Sequence, residues 1–336
     1  MQFDQLKRRE FITLLGGAAA PWPLAARAQQ PDRMRRVGVL MGLASSDVQQ
    51  RVELTALTQE IQKLGWTDGR NTSISYRWGA SDADRTWAAA KELVELQPDV
   101  IVAHTTSAVA ALTQQTRTIP IVFVLVSDPV GNGFVENWTK PGGNITGFTD
   151  FEPPMAGKWL ELLKQAAPHV TQVALLFNPE TAPGGGAIFL DPIEKAAPRF
   201  ALNWMAAGMR STDEIETIGG ALGRHGATGL LVTPDIFTTA HREQIIALAA
   251  RYRLPAIYAY RYFAADGGLI SYGMDPADQC RQAAAYVDRI LRGATVGELP
   301  IQAPTKFELV INLKSAKGLG LELPPMLLAL ANAVVE

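Results

Sequence analysis

The chain has 336 residues, of which 47% are hydrophobic and 19% are charged, and its formal net charge of −2 provides no basic surface for nucleic acid. Its one cysteine excludes an internal disulfide, a CxxC redox pair and a cysteine-rich zinc site. A chain of this length usually divides into two domains, and its hydrophobic content is sufficient for two cores.

The first 28 residues have the pattern of an export signal. The twin arginine Arg8-Arg9 precedes an apolar run over residues 11–20, and Ala26-Arg27-Ala28 supplies a small-x-small cleavage pattern. We therefore expect a mature chain that begins near Gln29 and lies in the periplasm, exported by the twin-arginine route or by the general secretory route.

A retained membrane anchor is the alternative interpretation of the same apolar run. The run is shorter than the roughly 20 residues that cross a bilayer core, and Pro21 and Pro23 follow it directly. We expect no membrane-embedded segment in the mature protein.

Short apolar runs alternate with amphipathic stretches along the first half of the chain. The apolar runs predict strands at 36–41, 72–78, 100–103 and 121–126. Helical patterns separate these strands at 48–64, 82–96 and 108–116. The alternation predicts parallel sheets that are covered by helices.

Three of the apolar motifs recur in the same order and at nearly constant spacing in the second half. The resembling pairs are 36–41 with 172–177, 100–103 with 229–232, and 118–122 with 253–257. Chance resemblance among apolar strands is the alternative. The common order favours two similarly built lobes.

The chain is expected to cross between these lobes three times. The first crossing lies near residues 140–144, a turn-rich stretch ahead of a short strand at 145–149. The second lies at 269–273, because the long helix predicted at 277–291 has no counterpart in the first half. The third lies at 297–305, where two prolines predict an extended linker.

These crossings divide the chain into two lobes joined by a hinge. The predicted first lobe comprises residues 33–146 plus 274–298. The predicted second lobe comprises residues 147–273 plus 299–336.

Ligands of open parallel sheets bind beyond the carboxyl ends of the strands. Polar and aromatic residues near those ends are therefore the candidate ligand contacts. In the first lobe they are Ser45, Ser46, Thr105, Thr106, Ser107, Ser127 and Asp128. In the second lobe they are Asn178, Asp235, Tyr258, Tyr260 and Tyr272.

Each type of candidate has a structural alternative. Hydroxyl residues ahead of a helix cap it, while the exposed amides beside them attract an anion such as a carboxylate. Asp128 and Asp235 would receive an ammonium group or serve as turn and cap residues. The tyrosines would stack on the ligand or pack at the edge of the core.

Motifs of catalysis and cofactor binding are missing from the sequence. It contains no GxSxG turn, no HExxH and no Walker phosphate loop. The four histidines, His104, His169, His225 and His241, lack metal-ligand spacing, although His104 lies at the predicted rim of the cleft. We expect no catalytic site, metal or cofactor. An exported enzyme with Asp128 or Asp235 as general base is the alternative.

Four ordered motifs resemble the ABC transporter substrate-binding family, which includes members that bind tryptophan and other aromatic amino acids. The motifs occupy residues 119–130, 141–147, 267–273 and 304–312. The resemblance covers essentially the whole mature chain. It implies an α/β fold of the type I periplasmic-binding class, with two Rossmann-like lobes and three hinge crossovers.

The resemblance also implies a function. It predicts a monomeric, non-catalytic receptor that captures a small solute, such as an amino acid or another small carboxylate, between its lobes. The receptor would deliver this solute to an ABC permease and its ATPase. A receptor subunit that presents the ligand to a membrane kinase is the alternative.

Overall fold

The structure, a computed structural model, describes residues 33–224 and 226–336. The predicted export signal at 1–28, the predicted new N-terminus at Gln29, and His225 lie outside the described residues. Within the described ranges, no helix combines the length and the apolar character that a bilayer span requires.

Strands and helices alternate through most of the described chain. The strands are β1 (Arg35–Met41), β2 (Thr72–Trp78), β3 (Val100–His104), β4 (Ile121–Val126), β5 (Ile145–Thr149), β6 (Gln172–Phe177), β7 (Asn203–Gly208), β8 (Thr228–Val232), β9 (Ala256–Tyr258), β10 (Ile270–Gly273), β11 (Glu308–Asn312) and β12 (Ala333–Val335). The helices of the first half are α1 (Val48–Lys63), α2 (Ala83–Glu95), α3 (Thr106–Gln115) and α4 (Pro154–Ala166). The later helices are α5 (Ala187–Ala196), α6 (Thr212–Arg224), α7 (Ile236–Ala240), α8 (Arg242–Arg251), α9 (Arg261–Ala265), α10 (Pro276–Leu291), α11 (Leu313–Leu319) and α12 (Pro325–Ala329).

The strands form two sheets with corresponding strand orders. The first sheet has the order β2-β1-β3-β4-β5, and the second has the order β7-β6-β8-β9-β10-β11-β12. The recurring motifs fall on β1 and β6, on β3 and β8, and on β4 and β9, which occupy equivalent positions. The prediction of two similarly built α/β lobes is confirmed.

Two strands, β11 and β12, depart from the parallel arrangement that the alternation of strands and helices predicts, since β12 pairs parallel with β11. Strand β11 pairs antiparallel with β10, with Ile270 opposite Ile311 and Gly273 opposite Glu308. The physical reason is the chain path. Strand β10 runs toward the crossing that leads to α10, while β11 begins where the chain returns from the third crossing, so the two strands run in opposite directions.

Helix α10 returns to the first lobe and packs against α1. Apolar side chains of α1, including Leu57 and Ile61, lie on the buried face of that helix. Residues of α10, among them Ala283 and Val287, are buried in the same core. The first lobe is therefore completed by a helix from late in the chain.

Three crossings connect the lobes in the described chain, after β5, between β10 and α10, and ahead of β11. The first and third lie side by side, since the Thr149 amide donates to the Gln302 carbonyl at 2.9 Å. Gln279 of α10 donates to the Thr149 carbonyl at 2.6 Å and accepts from the Leu125 amide at 2.7 Å. Strand β5 spans the predicted lobe boundary at residues 146 and 147 and pairs with β4 in the first sheet.

Candidate ligand-binding site

A cavity lies between the two lobes, where the carboxyl ends of the two sets of strands face each other. Its lining combines polar, aromatic and apolar side chains of both lobes. The first lobe contributes Leu43, Gln50, Glu53, His104, Thr105, Thr106, Ser107 and Leu125. The second lobe contributes Thr181, Pro183, Pro234, Asp235, Ile236, Thr239, Tyr260 and Tyr262.

The N-terminus of α3 opens on this cavity. Thr105 occupies the N-cap position with φ 88° and ψ 160°, and its side chain makes no capping hydrogen bond. A positive φ is strained for a β-branched residue and costs on the order of 1–3 kcal/mol, and such strain concentrates at functional sites. Because the first amides of a helix have no partner within it, the first turn of α3 presents donors suited to an anion.

Hydroxyl groups surround the same turn. Thr105 Oγ1 lies 3.0 Å from Ser107 Oγ, and Thr106 also lines the cavity. Helix α3 begins at Thr106, two residues before the predicted start at residue 108. The structure brings together all three hydroxyl residues that the sequence suggested after β3.

Asp235 faces the cavity from the second lobe and also caps α7. Its Oδ1 accepts from the amides of Phe237 at 2.6 Å and Thr238 at 3.4 Å, and Thr181 Oγ1 lies 3.0 and 2.9 Å from its two oxygens. The residue is 3% exposed. Burial raises the pKa of Asp235 to about 6, and these hydrogen bonds oppose that rise. The capping role is thus present together with a position on the cavity wall.

A second buried carboxylate, Asp150, joins the lobes behind the cavity. Asp150 directly follows β5 and accepts from Ser127 Oγ at 2.7 Å and from Tyr260 Oη of the second lobe at 2.7 Å. It is 1% exposed, and burial raises its pKa to about 6. Tyr260 therefore lines the cavity while its hydroxyl donates to Asp150. Ser127 lies outside the lining and donates to the other oxygen of Asp150.

The remaining predicted contacts lie outside the cavity lining. Ser45 and Ser46 are exposed, and Asp47, not either serine, caps α1. Tyr258 stacks on Phe263 with ring centroids 4.9 Å apart, in the core of the second lobe.

The other three outside residues also have structural partners. Asp128 Oδ1 accepts from the Gly131 amide at 2.8 Å, as a turn residue does. Asn178 Oδ1 accepts from the Glu180 amide at 2.7 Å, and Tyr272 stacks on the ring of Phe307.

Gln50 and Glu53 line the cavity without having been suggested by the sequence motifs. Both lie on α1, where they precede Leu57 on the buried face of the helix. The available signal was a glutamate at a position that the 3.6-residue period assigns to the core, since a buried carboxylate requires a partner. That partner is His104, whose Nε2 lies 2.7 Å from Glu53 Oε2.

A glycine-rich turn lies between the cavity and a second, larger pocket. Residues Pro183–Gly186 form a 3₁₀ turn in which Gly186 has φ 97°. A β-carbon at Gly186 would lie 2.4 Å from the Phe177 ring, so this turn requires glycine. The second pocket is lined by this turn and by residues of α2 and α3, among them Trp87.

No group of three or more His, Cys, Asp or Glu residues within 33–224 and 226–336 is arranged to hold a metal ion.

Comparisons with known proteins agree on one family. A family model described as ABC transporter substrate binding protein matches residues 45–335. A tyrosine-binding protein of Clostridioides difficile (strain R20291) is 26% identical over 263 residues, which are 78% of this chain and 74% of that protein.

Two solved structures share the fold over 90% of this chain and all of theirs. A conserved domain protein from Vibrio cholerae O1 biovar El Tor superposes with a TM-score of 0.83 and 25% identity. An ABC domain from Streptococcus pneumoniae in complex with L-Trp superposes with a TM-score of 0.83 and 22% identity.

Proposed function

Because this chain belongs to the ABC transporter substrate-binding protein family, we propose that it is the periplasmic receptor of an ABC importer and binds an aromatic amino acid in the cavity between its lobes. It would act as a monomer without cofactor and deliver the solute to an ABC permease and its ATPase. The names of the tyrosine-binding relative and of the L-Trp complex support the choice of solute.

One observation carries the amino-acid proposal. The cavity presents the unpartnered amides of α3 on the first lobe and the carboxylate of Asp235 on the second lobe. A zwitterionic amino acid complements both, with its carboxylate at α3 and its ammonium at Asp235. Arginine and lysine are absent from the described lining, so the α3 amides and neighbouring hydroxyls would supply the anion-binding donors.

Ligand contacts from both lobes also explain how binding would be coupled to closure. A ligand shifts a conformational equilibrium only by its difference in affinity for the two states. Groups of both lobes reach the ligand together only when the lobes lie close to each other, so the closed state would bind more tightly. Such a difference would let the permease distinguish the loaded receptor from the empty one.

The test is binding by the mature protein after bound ligand has been stripped from it. Thermal unfolding and calorimetry would be measured with the twenty common amino acids and with a panel of sugars. We expect tyrosine or tryptophan to stabilise the fold by about 2.7 kcal/mol at 100-fold excess over the dissociation constant. A melting temperature that no amino acid raises would remove the proposal.

A further inference from the structure

A polar cluster of Gln50, Glu53 and His104 forms the wall of the cavity on the side of α1. Glu53 is 4% exposed and His104 is 3% exposed. Gln50 Nε2 donates to Glu53 Oε2 at 3.0 Å, and His104 Nε2 lies 2.7 Å from the same oxygen. His104 Nδ1 is buried and has no hydrogen-bond partner among the described residues.

The hydrogen bonds restrict the role of each atom in this cluster, in which Gln50 Nε2 also lies 3.2 Å from His104 Nε2. The Leu43 amide donates to Gln50 Oε1 at 2.9 Å, so the NH₂ group of Gln50 faces Glu53. An ionised carboxylate only accepts, so beside an ionised Glu53 the His104 ring carries a proton on Nε2. In a neutral imidazole the other nitrogen, Nδ1, is then an acceptor. A buried acceptor without a partner is costly, which points to a partner that arrives with the ligand.

Aromatic side chains lie beside the same cluster. Tyr260 and Tyr262 line the cavity together with Glu53 and His104. Burial, and then nearby carboxylates that include Glu53, raise the pKa values of both tyrosines well above their usual range. The cavity lining therefore combines aromatic rings with a histidine that has one unpaired ring nitrogen.

We propose that His104 Nδ1 accepts a hydrogen bond from a donor on the aromatic side chain of the ligand, so that the site selects a phenol or an indole over a plain phenyl ring. This inference rests on the proposed function, since it presumes an amino acid oriented by α3 and Asp235. Glu53 and Gln50 are positioning residues that hold the imidazole in the accepting tautomer. A phenyl ring would leave Nδ1 buried and unpaired, and a site built to hydrogen-bond a ligand group discriminates strongly against an analogue that lacks it.

The first test uses the wild-type protein and two matched ligand pairs. Tyrosine is compared with phenylalanine, and tryptophan with benzothienylalanine, in which sulfur replaces the indole N–H. We expect calorimetry to show about 10- to 100-fold tighter binding of the donor-bearing member of each pair, the range that one unsatisfied buried group implies. Equal binding within both pairs overturns the proposal, even though the proposed function would stand. If no amino acid binds, the proposed function is wrong, and this inference is wrong with it.

Variants then identify the residue responsible. In His104→Leu the ratio within each pair should fall to near unity, whatever the change in the affinity for phenylalanine itself. In Glu53→Gln the new amide oxygen still accepts from Nε2, so the preference should persist. A ratio that is unchanged in His104→Leu overturns the assignment. A preference for tyrosine over phenylalanine without a preference for tryptophan over benzothienylalanine also overturns it, because that pattern requires Nδ1 to be a donor.

Discussion

Arg242 of the second lobe lies 2.7 Å from Asp47 of the first lobe, measured between Nη1 and Oδ2. The other oxygen of Asp47 caps α1 through the amides of Gln49 and Gln50. Arg242 also contacts Asp266 at 3.2 Å, within its own lobe. The pair therefore ties the start of the helix that carries Gln50 and Glu53 to the opposite lobe.

Breaking this ion pair should weaken ligand binding without touching the cavity. Asparagine is a good N-cap, so Asp47→Asn keeps the cap of α1 and removes only the charge. We expect the dissociation constant to rise by about 5- to 150-fold, equivalent to roughly 1–3 kcal/mol, because the closed state loses a partly buried contact that the open state does not have. Calorimetry measures the affinity, and small-angle scattering of the unliganded protein measures how far the lobes separate.

The matched control for that variant is Asp82→Asn. Asp82 caps α2 by accepting from the Arg85 amide at 2.8 Å, within one lobe. The Asp82→Asn substitution should leave the ligand affinity unchanged. Equal effects of the two substitutions would assign the loss to helix capping rather than to contact between lobes.

Asp235→Asn should separate the ligand role of this residue from its structural role. Asparagine retains an oxygen for the Phe237 amide but no charge for an ammonium. We expect binding to weaken by roughly 2–5 kcal/mol, with little change in the unliganded melting temperature. The control Asp128→Asn removes a carboxylate outside the cavity and should not alter affinity. A variant that binds like the wild type would limit Asp235 to capping.

Asp150 should make the unliganded protein less stable as the pH rises. Burial raises its pKa from 3.8 to about 6, so the folded state keeps a proton that the unfolded chain has released. The stability from this group is fully present below pH 3.8 and is lost as the pH rises through about 6. The shift corresponds to about 3 kcal/mol.

The measurement for Asp150 is chemical denaturation of the wild type and of Asp150→Asn between pH 4 and pH 7. The variant cannot ionise at this position, so its stability relative to the wild type should increase by about 2 kcal/mol over that range. A constant difference between the two proteins would show that Asp150 has the same pKa in the folded and unfolded states.

Export should depend on the twin arginine if that route is used. The double substitution Arg8→Lys and Arg9→Lys should leave the uncleaved precursor in the cytoplasm, whereas Arg27→Lys should be exported normally. Cell fractionation and N-terminal sequencing measure both outcomes, with cleavage expected before Gln29. Unchanged export of the double variant would identify the general secretory route.

Much of the fold follows from local pattern. Strands β2, β4 and β5 have the predicted bounds, because each is a short stretch rich in β-branched and aromatic residues. The recurring motifs also identify equivalent strands of the two sheets. The antiparallel pairing of β11 was missed because it depends on the direction in which the chain returns from the hinge.

The site was harder to predict because loops determine which side chains reach it. Thr105, Thr106, Ser107, Asp235 and Tyr260 line the cavity as suggested. Others that follow strands do not, since Asp47 caps α1 and leaves the two preceding serines exposed. Contacts such as the one between Arg242 and Asp47 join positions 195 residues apart. The local hydrophobic periodicity of the sequence cannot predict such contacts.

The return of α10 to the first lobe affects how the chain folds while it is being synthesised. Strands β1 to β5 are complete by residue 149, yet the helix that packs against α1 ends at Leu291. A nascent chain therefore exposes the apolar face of α1 while the whole second sheet up to β10 is being translated. A chain that terminates after residue 273 would retain that exposed face, and we expect it to aggregate or to bind chaperones instead of folding as a separate lobe.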